Sequence, residues 1–280
     1  MSPKDMVVFI DGDNADGRKG VMLHAAALAQ RWQAHLIATF VADRLELRSH
    51  IGFTRGDGIT QMLRAHEARV RDTMETSRRE FEEIGRRHDL SLEWRVSDDE
   101  FGEALMLHAR HAALAVLGPP RRSDRRETAL SLSEDVIFAS GRPSLLVPNG
   151  WTGDRIGSRI VIGWNGSREA ARAIADAMPF LVAAQAVTVV VVPEQKVSRV
   201  LGAEPGADIT RHLARHGVPV TLEQHEGPDA GAILLDRARD TNADLIVMGA
   251  YGQPKITEFI FGSATRTLLD APELPILLSR

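Results

Sequence analysis

Three glycines and a serine near the end of the chain are the residues whose type and spacing can do chemistry. The run Asp244-Leu245-Ile246-Val247-Met248 ends in Gly249, Gly252 follows after two residues, and Gly262-Ser263 comes after nine more, opening a helical pattern over 264–270. Glycines between a strand end and a helix start let backbone N–H groups approach an anion closely, and the helix N-terminus adds partial positive charge. Ser263 adds a hydroxyl at the same spot, with Ala264 beside it and Thr265 within the first turn. The chemistry this suits is phosphate binding. The spacing is neither the dinucleotide fingerprint Gly-x-Gly-x-x-Gly nor the P-loop, which needs Gly-Lys-Ser/Thr.

The elements that must position these residues come from an internal repeat. Val7-Val8-Phe9-Ile10-Asp11-Gly12-Asp13 has a counterpart in Ile160-Val161-Ile162-Gly163-Trp164-Asn165-Gly166-Ser167, each a β-branched run ending in Asp/Asn-Gly. An alanine-rich helical pattern follows each (20–32 and 169–182), then a second apolar run (35–41 and 187–192). Later, 113–118 parallels 244–249, and 143–147 parallels 275–279. Continuous apolar strands alternating with helices predict a parallel sheet covered on both faces, so each half is expected to be a five-stranded doubly wound α/β domain. Further helices are expected over 99–111 and 229–240. Pro148-Asn149-Gly150 and the residues to 158 read as a linker between domains 1–147 and 159–280. The halves differ most in the charged segment 60–88, where Glu67, Arg71, Glu75 and Arg79 suit one solvated helix face.

The motif Gly-x2-Gly-x9-Gly-Ser, within a second half of this pattern, resembles the nucleotide-binding signature of the universal stress protein family. The resemblance implies the strand order 3-2-1-4-5 of adenine nucleotide alpha-hydrolase-like folds, and a tandem chain whose halves form an intramolecular pseudo-dimer. It implies that final strands pair the domains, through Leu145-Leu146-Val147 and Ile276-Leu277-Leu278. A further homodimer stays open. The implied ligand is ATP, or ADP or AMP, with or without Mg²⁺, in a role in stress adaptation or signalling. Ligands of open α/β sheets sit beyond the carboxyl ends of the strands. Gly163, Trp164 and Asn165 then arrive from the first strand, Val192 and Met248 bracket an adenine, and Gly249, Gly252, Gly262 and Ser263 surround the phosphates. Related domains carry an aspartate where this chain has Asn165. No residue is marked out as a general base, so the activity expected is at most slow ATP hydrolysis. The alternative is a nucleotide-free interaction module working through domain pairing.

The first half lacks the cradle. Gly118 is followed by Pro119 and Pro120, which have no N–H to offer a phosphate, then by Arg121, Arg122, Arg125 and Arg126, and Leu130-Ser131 stands where Gly-Ser is needed. One site is therefore expected, in the second half. Asp11-Gly12-Asp13 over about eight residues is similar to the first motif of haloacid-dehalogenase-type phosphatases and to the opening of NYN-type nucleases, but no further acidic or lysine motif supports a metal hydrolase. The pairs His108/His111 and His212/His216 lack a third ligand and read as surface histidines. Asn165-Gly166-Ser167 is a sequon in form only, and no Gly-x-Ser-x-Gly elbow is present. A net charge of −4 gives no footprint for nucleic acid, and the absence of cysteine excludes disulfides and thiolate metal sites. With no apolar stretch of membrane-span length and no leader-like start, a cytoplasmic location is expected.

Overall fold

The structure is a computed structural model that describes residues 2–12, 15–42, 57–97, 102–120, 132–192, 204–250 and 263–280. The N-terminal half runs β1 (Asp5–Asp11), α1 (Ala15–Trp32), β2 (His35–Val41), α2 (Asp57–His88), β3 (Leu92–Ser97), α3 (Gly102–Arg110), β4 (Leu114–Leu117), α4 (Leu132–Ala139) and β5 (Ser144–Leu146). The C-terminal half runs β6 (Arg159–Trp164), α5 (Arg168–Leu181), β7 (Ala186–Val191), α6 (Ala207–Arg215), β8 (Val220–Gln224), α7 (Ala230–Asp240), β9 (Leu245–Gly249), α8 (Ser263–Asp270) and β10 (Ile276–Ser279).

The ten strands form one sheet in the order β3-β2-β1-β4-β5-β10-β9-β6-β7-β8. Each half is therefore a parallel 3-2-1-4-5 sheet, as the alternation of strands and helices predicts. The halves meet where β5 and β10 pair antiparallel, with Leu277 opposite Leu145 and Ile276 opposite Leu146. These short, wholly buried strands leave neither half with an open edge at the join.

Alternation along each strand divides the core in two. Met6, Val8, Ile10, Ile160 and Ile162 point to one face, where they meet α1, α2, α5 and α6. Val7, Phe9, Val161, Ile246 and Met248 point to the other, under α3, α4, α7 and α8. The first core crosses the domain join: Trp32 of α1 packs edge-on against Phe180 of α5 with ring centroids 4.7 Å apart. The residues between β5 and β6 form no helix or strand and lie against α1, where His24 Nε2 contacts the Trp151 carbonyl oxygen at 3.1 Å and Arg31 donates to that of Ile156 at 3.0 Å.

Asp244 fastens the start of β6 beside β9. Its carboxylate accepts backbone N–H groups from Gly157, Ser158 and Arg159 at 2.8–3.2 Å. Burial nonetheless leaves its pKa above the ordinary value, because these hydrogen bonds only partly offset desolvation. The charged segment is the helix α2, whose buried residues are His66, Ser77, Phe81, Ile84 and Gly85. Glu67, Arg71, Glu75 and Arg79 are all exposed, as a solvated face requires.

Candidate functional site

The two halves present the same crevice, at the carboxyl ends of their first and fourth strands, with different contents. Register fixes the correspondence. Val8 pairs with Ala38 and Val116, and Ile162 pairs with Val189 and Val247, so Phe9 occupies the position of Gly163.

In the C-terminal half the crevice is a cavity of about 80 Å³ lined by Gly163, Trp164 and Asn165 from β6 and the turn after it, Val190 and Val192 from β7 and just beyond, Met248 and Gly249 from β9, and residues of α7 and α8. In the N-terminal half the corresponding cavity is about 20 Å³. The Phe9 ring, 3% exposed, fills the floor that Gly163 leaves open. Arg18 reaches in from α1, its Nε 3.9 Å from Glu80 Oε2, and Pro119 stands in the lining. The larger cavity thus belongs to the half whose sequence carries the glycine signature.

Three local devices hold the C-terminal crevice in shape. Gly249 touches the first turn of α5: a Cβ there would lie 2.5 Å from Ala170 N and from the Glu169 carbonyl carbon, so only glycine fits. Gly231 plays the same part between α7 and α8, where a Cβ would meet the Ala264 carbonyl oxygen at 2.7 Å. Asp229 caps α7 by accepting from Gly231 N at 2.9 Å and Ala232 N at 3.3 Å. Its other oxygen accepts the Thr267 hydroxyl at 2.9 Å. The two helices therefore start side by side, with Ala230 and Ala264 both in the lining. Their N-termini bring partial positive charge to the cavity, the arrangement that favours an anion.

Asn165 and Ser167 build the turn from β6 into α5. Asn165 Oδ1 accepts Ser167 N–H at 3.1 Å, and Ser167 Oγ accepts Ala170 N–H at 3.1 Å as the helix cap. Glu169 is buried beside Gly249. Burial opposes its ionisation, but the Arg168 guanidinium, its own backbone N–H and Ser167 hold its pKa below the usual carboxylate value.

Seven of the sequence-predicted residues thus come together in one lining: Gly163, Trp164, Asn165, Val192, Met248, Gly249 and Ala264. Thr265 is 3% exposed and lies outside it. Gly252 and Gly262 fall outside the described residues; Ser263 begins α8. Sequence reasoning missed Val190, Ala230 and Leu234. A signal for two of them existed, since Ala230 and Leu234 stand four apart at the start of a helix and so share a face. Val190 shares its strand face with Val192 by the same kind of counting.

Elsewhere, His212 and His216 are exposed neighbours with rings 4.8 Å apart. Burial lowers the pKa of His108. Among the described residues no group of three or more His, Cys, Asp or Glu side chains is arranged to hold a metal ion, and no helix is long and apolar enough to cross a membrane.

The universal stress protein family profile matches residues 158–280. No curated protein matches the chain. Among solved structures, a universal stress protein from Archaeoglobus fulgidus DSM 4304 is similar over 100% of this chain and 97% of its own, at 16% identity and a TM-score of 0.70. A protein of unknown function from Pseudomonas aeruginosa PAO1 is similar over 99% of this chain and 92% of its own, at 16% identity and a TM-score of 0.59. A candidate universal stress protein from Pseudomonas aeruginosa UCBPP-PA14 covers 99% and 93%, at 16% identity and a TM-score of 0.60. At such identities these structures speak for the fold, which they share from end to end. Residues 158–280 thus resemble the universal stress protein family in sequence, and the whole chain shares the fold of these structures, once in each half.

Proposed function

We propose that the C-terminal crevice binds ATP or a related adenine nucleotide, with any Mg²⁺ carried in on the phosphates, and that binding serves stress adaptation or signalling. The observation that carries this reading is the convergence of the Gly249 strand end and the starts of α7 and α8 on one cavity, while Phe9 fills its counterpart. Val190, Val192, Leu234 and Met248 give the base an apolar wall. Phosphates lie toward the start of α8, where the sequence places Gly262 and Ser263.

The reading is of a binding site rather than a hydrolase. No described lining residue has a carboxylate or imidazole to activate water. The continuous pairing of β5 with β10 supports a second reading, a nucleotide-free interaction module working through domain pairing. Mass spectrometry of the denatured, purified protein tests the first reading: co-purified adenine nucleotide supports it. A nucleotide-free protein that melts at the same temperature with and without excess ATP leaves the interaction module.

A further inference from the structure

Among the described residues, the polar side chains of the C-terminal cavity lining are those of Trp164 and Asn165. An indole offers a donor and no acceptor. An amide offers both, so what Asn165 shows a ligand depends on which end the protein has already used. Its Oδ1 accepts Ser167 N–H at 3.1 Å, inside the turn that also presents the Ser167 cap to α5. That bond occupies the oxygen and leaves the NH₂ as the free end of an exposed lining residue. Both polar side chains of the lining therefore carry free donors. Met248 adds only a thioether, a weak acceptor.

This inference rests on the nucleotide reading above and adds the chemistry of the sugar. With the base against the apolar wall and phosphates toward the start of α8, the sugar spans the gap beside β6. Asn165 is the amide of the lining at that strand end. We propose that Asn165 is a specificity residue that selects adenine nucleotides bearing an acceptor-only phosphate on the 2′ or 3′ sugar oxygen. A neutral amide N–H donates to such an anion, whereas a carboxylate in the same place would repel it and would instead want a hydroxyl proton.

Asn165→Asp is the discriminating variant. A carboxylate accepts the Ser167 N–H as readily as an amide oxygen, so the turn and the helix cap stay intact. Only the free end changes, from donor to charged acceptor. AMP, adenosine 2′,5′-bisphosphate and adenosine 3′,5′-bisphosphate are titrated calorimetrically into the wild-type chain and the variant, with melting temperature as the folding control. The expected result is that wild type binds at least one bisphosphate about tenfold tighter than AMP, a typical gain for a charge-assisted hydrogen bond. In Asn165→Asp that preference is lost or reversed, because the carboxylate repels the added phosphate and accepts the free ribose hydroxyls of AMP. Wild type binding AMP at least as tightly as either bisphosphate, or a variant that keeps the wild-type preference, overturns the inference and leaves the nucleotide site standing. Binding of none of the three by wild type or by Asn165→Asp, with ATP also silent, overturns the nucleotide reading itself.

Discussion

Replacing Gly163 by phenylalanine should close the C-terminal crevice as Phe9 closes its counterpart. The two positions are equivalent in register, and the cavities they floor are about 80 and about 20 Å³. A space near the lower value holds about one water and no part of a base. At Gly163 a Cβ would approach Leu234 Cδ1 at 2.9 Å and Met248 Cβ at 3.6 Å. The nearer atom is the end of a flexible side chain, so the fold can accommodate the ring at an overpacking cost of about 1–3 kcal/mol. Excluding about 100 Å² of ligand surface at about 25 cal/mol per Å² removes about 2.5 kcal/mol of binding, which is close to a hundredfold in Kd. The assay is calorimetric titration of ATP into wild type and Gly163→Phe, with circular dichroism to establish that the variant is folded. A folded variant with wild-type affinity would refute the placement of the ligand in this crevice.

Other expectations follow from the packing around the site and the join. Gly249→Ala puts a methyl group 2.5 Å from backbone atoms of α5, which cannot move as a side chain can, so it should cost about 1–3 kcal/mol and lower the melting temperature in the absence of any ligand. Trp32→Ala removes the ring that meets Phe180 across the join; a loss of about 3–5 kcal/mol should lower the melting temperature by about 10 °C, and an unchanged value would mean the halves do not rest on this contact. Asp135, half-buried in the first turn of α4 next to Glu134, has a carboxyl pKa pushed up to about 6 by desolvation and then by the Glu134 charge. Its folded state holds the proton more tightly than the unfolded chain, so its contribution is fully present below about pH 4 and is lost as pH rises through about 6. Asp135→Asn should therefore add about 1 kcal/mol of stability at pH 8, once solvent screening is allowed for, and none at pH 4, read as a melting temperature raised only at pH 8; equal effects at both pH values would contradict the assignment.

Much of this architecture is legible in the sequence because repetition and period survive without tertiary knowledge. The helix expected over 229–240 is α7 with Asp229 as its cap, and the one expected over 264–270 is α8 with Ser263 as its first residue. The apolar run Ile276-Leu277-Leu278 is a buried strand that pairs with Leu145 and its neighbours. What the sequence withholds are facts of contact. The alignment of the repeats sets Phe9 opposite Gly163, but that the ring lies on the crevice floor depends on the face it takes in the sheet. Gly249 reads as a phosphate glycine, and the structure gives it a second reason, the close approach of α5. Asn165 reads in sequence only as the neutral residue where related domains carry an aspartate; that its oxygen is already bonded to Ser167 N–H is a fact of the folded turn. Such competition between the chain and a ligand for one atom is invisible in a list of residues.

The most direct test of the account is a calorimetric titration of ATP with Mg²⁺ into protein stripped of nucleotide. Saturation at one ATP per chain, weakened about a hundredfold in the folded Gly163→Phe variant, is the predicted result. Two sites per chain, or no binding with an unchanged melting temperature in excess ATP, would contradict the claim that the C-terminal crevice alone is the working site.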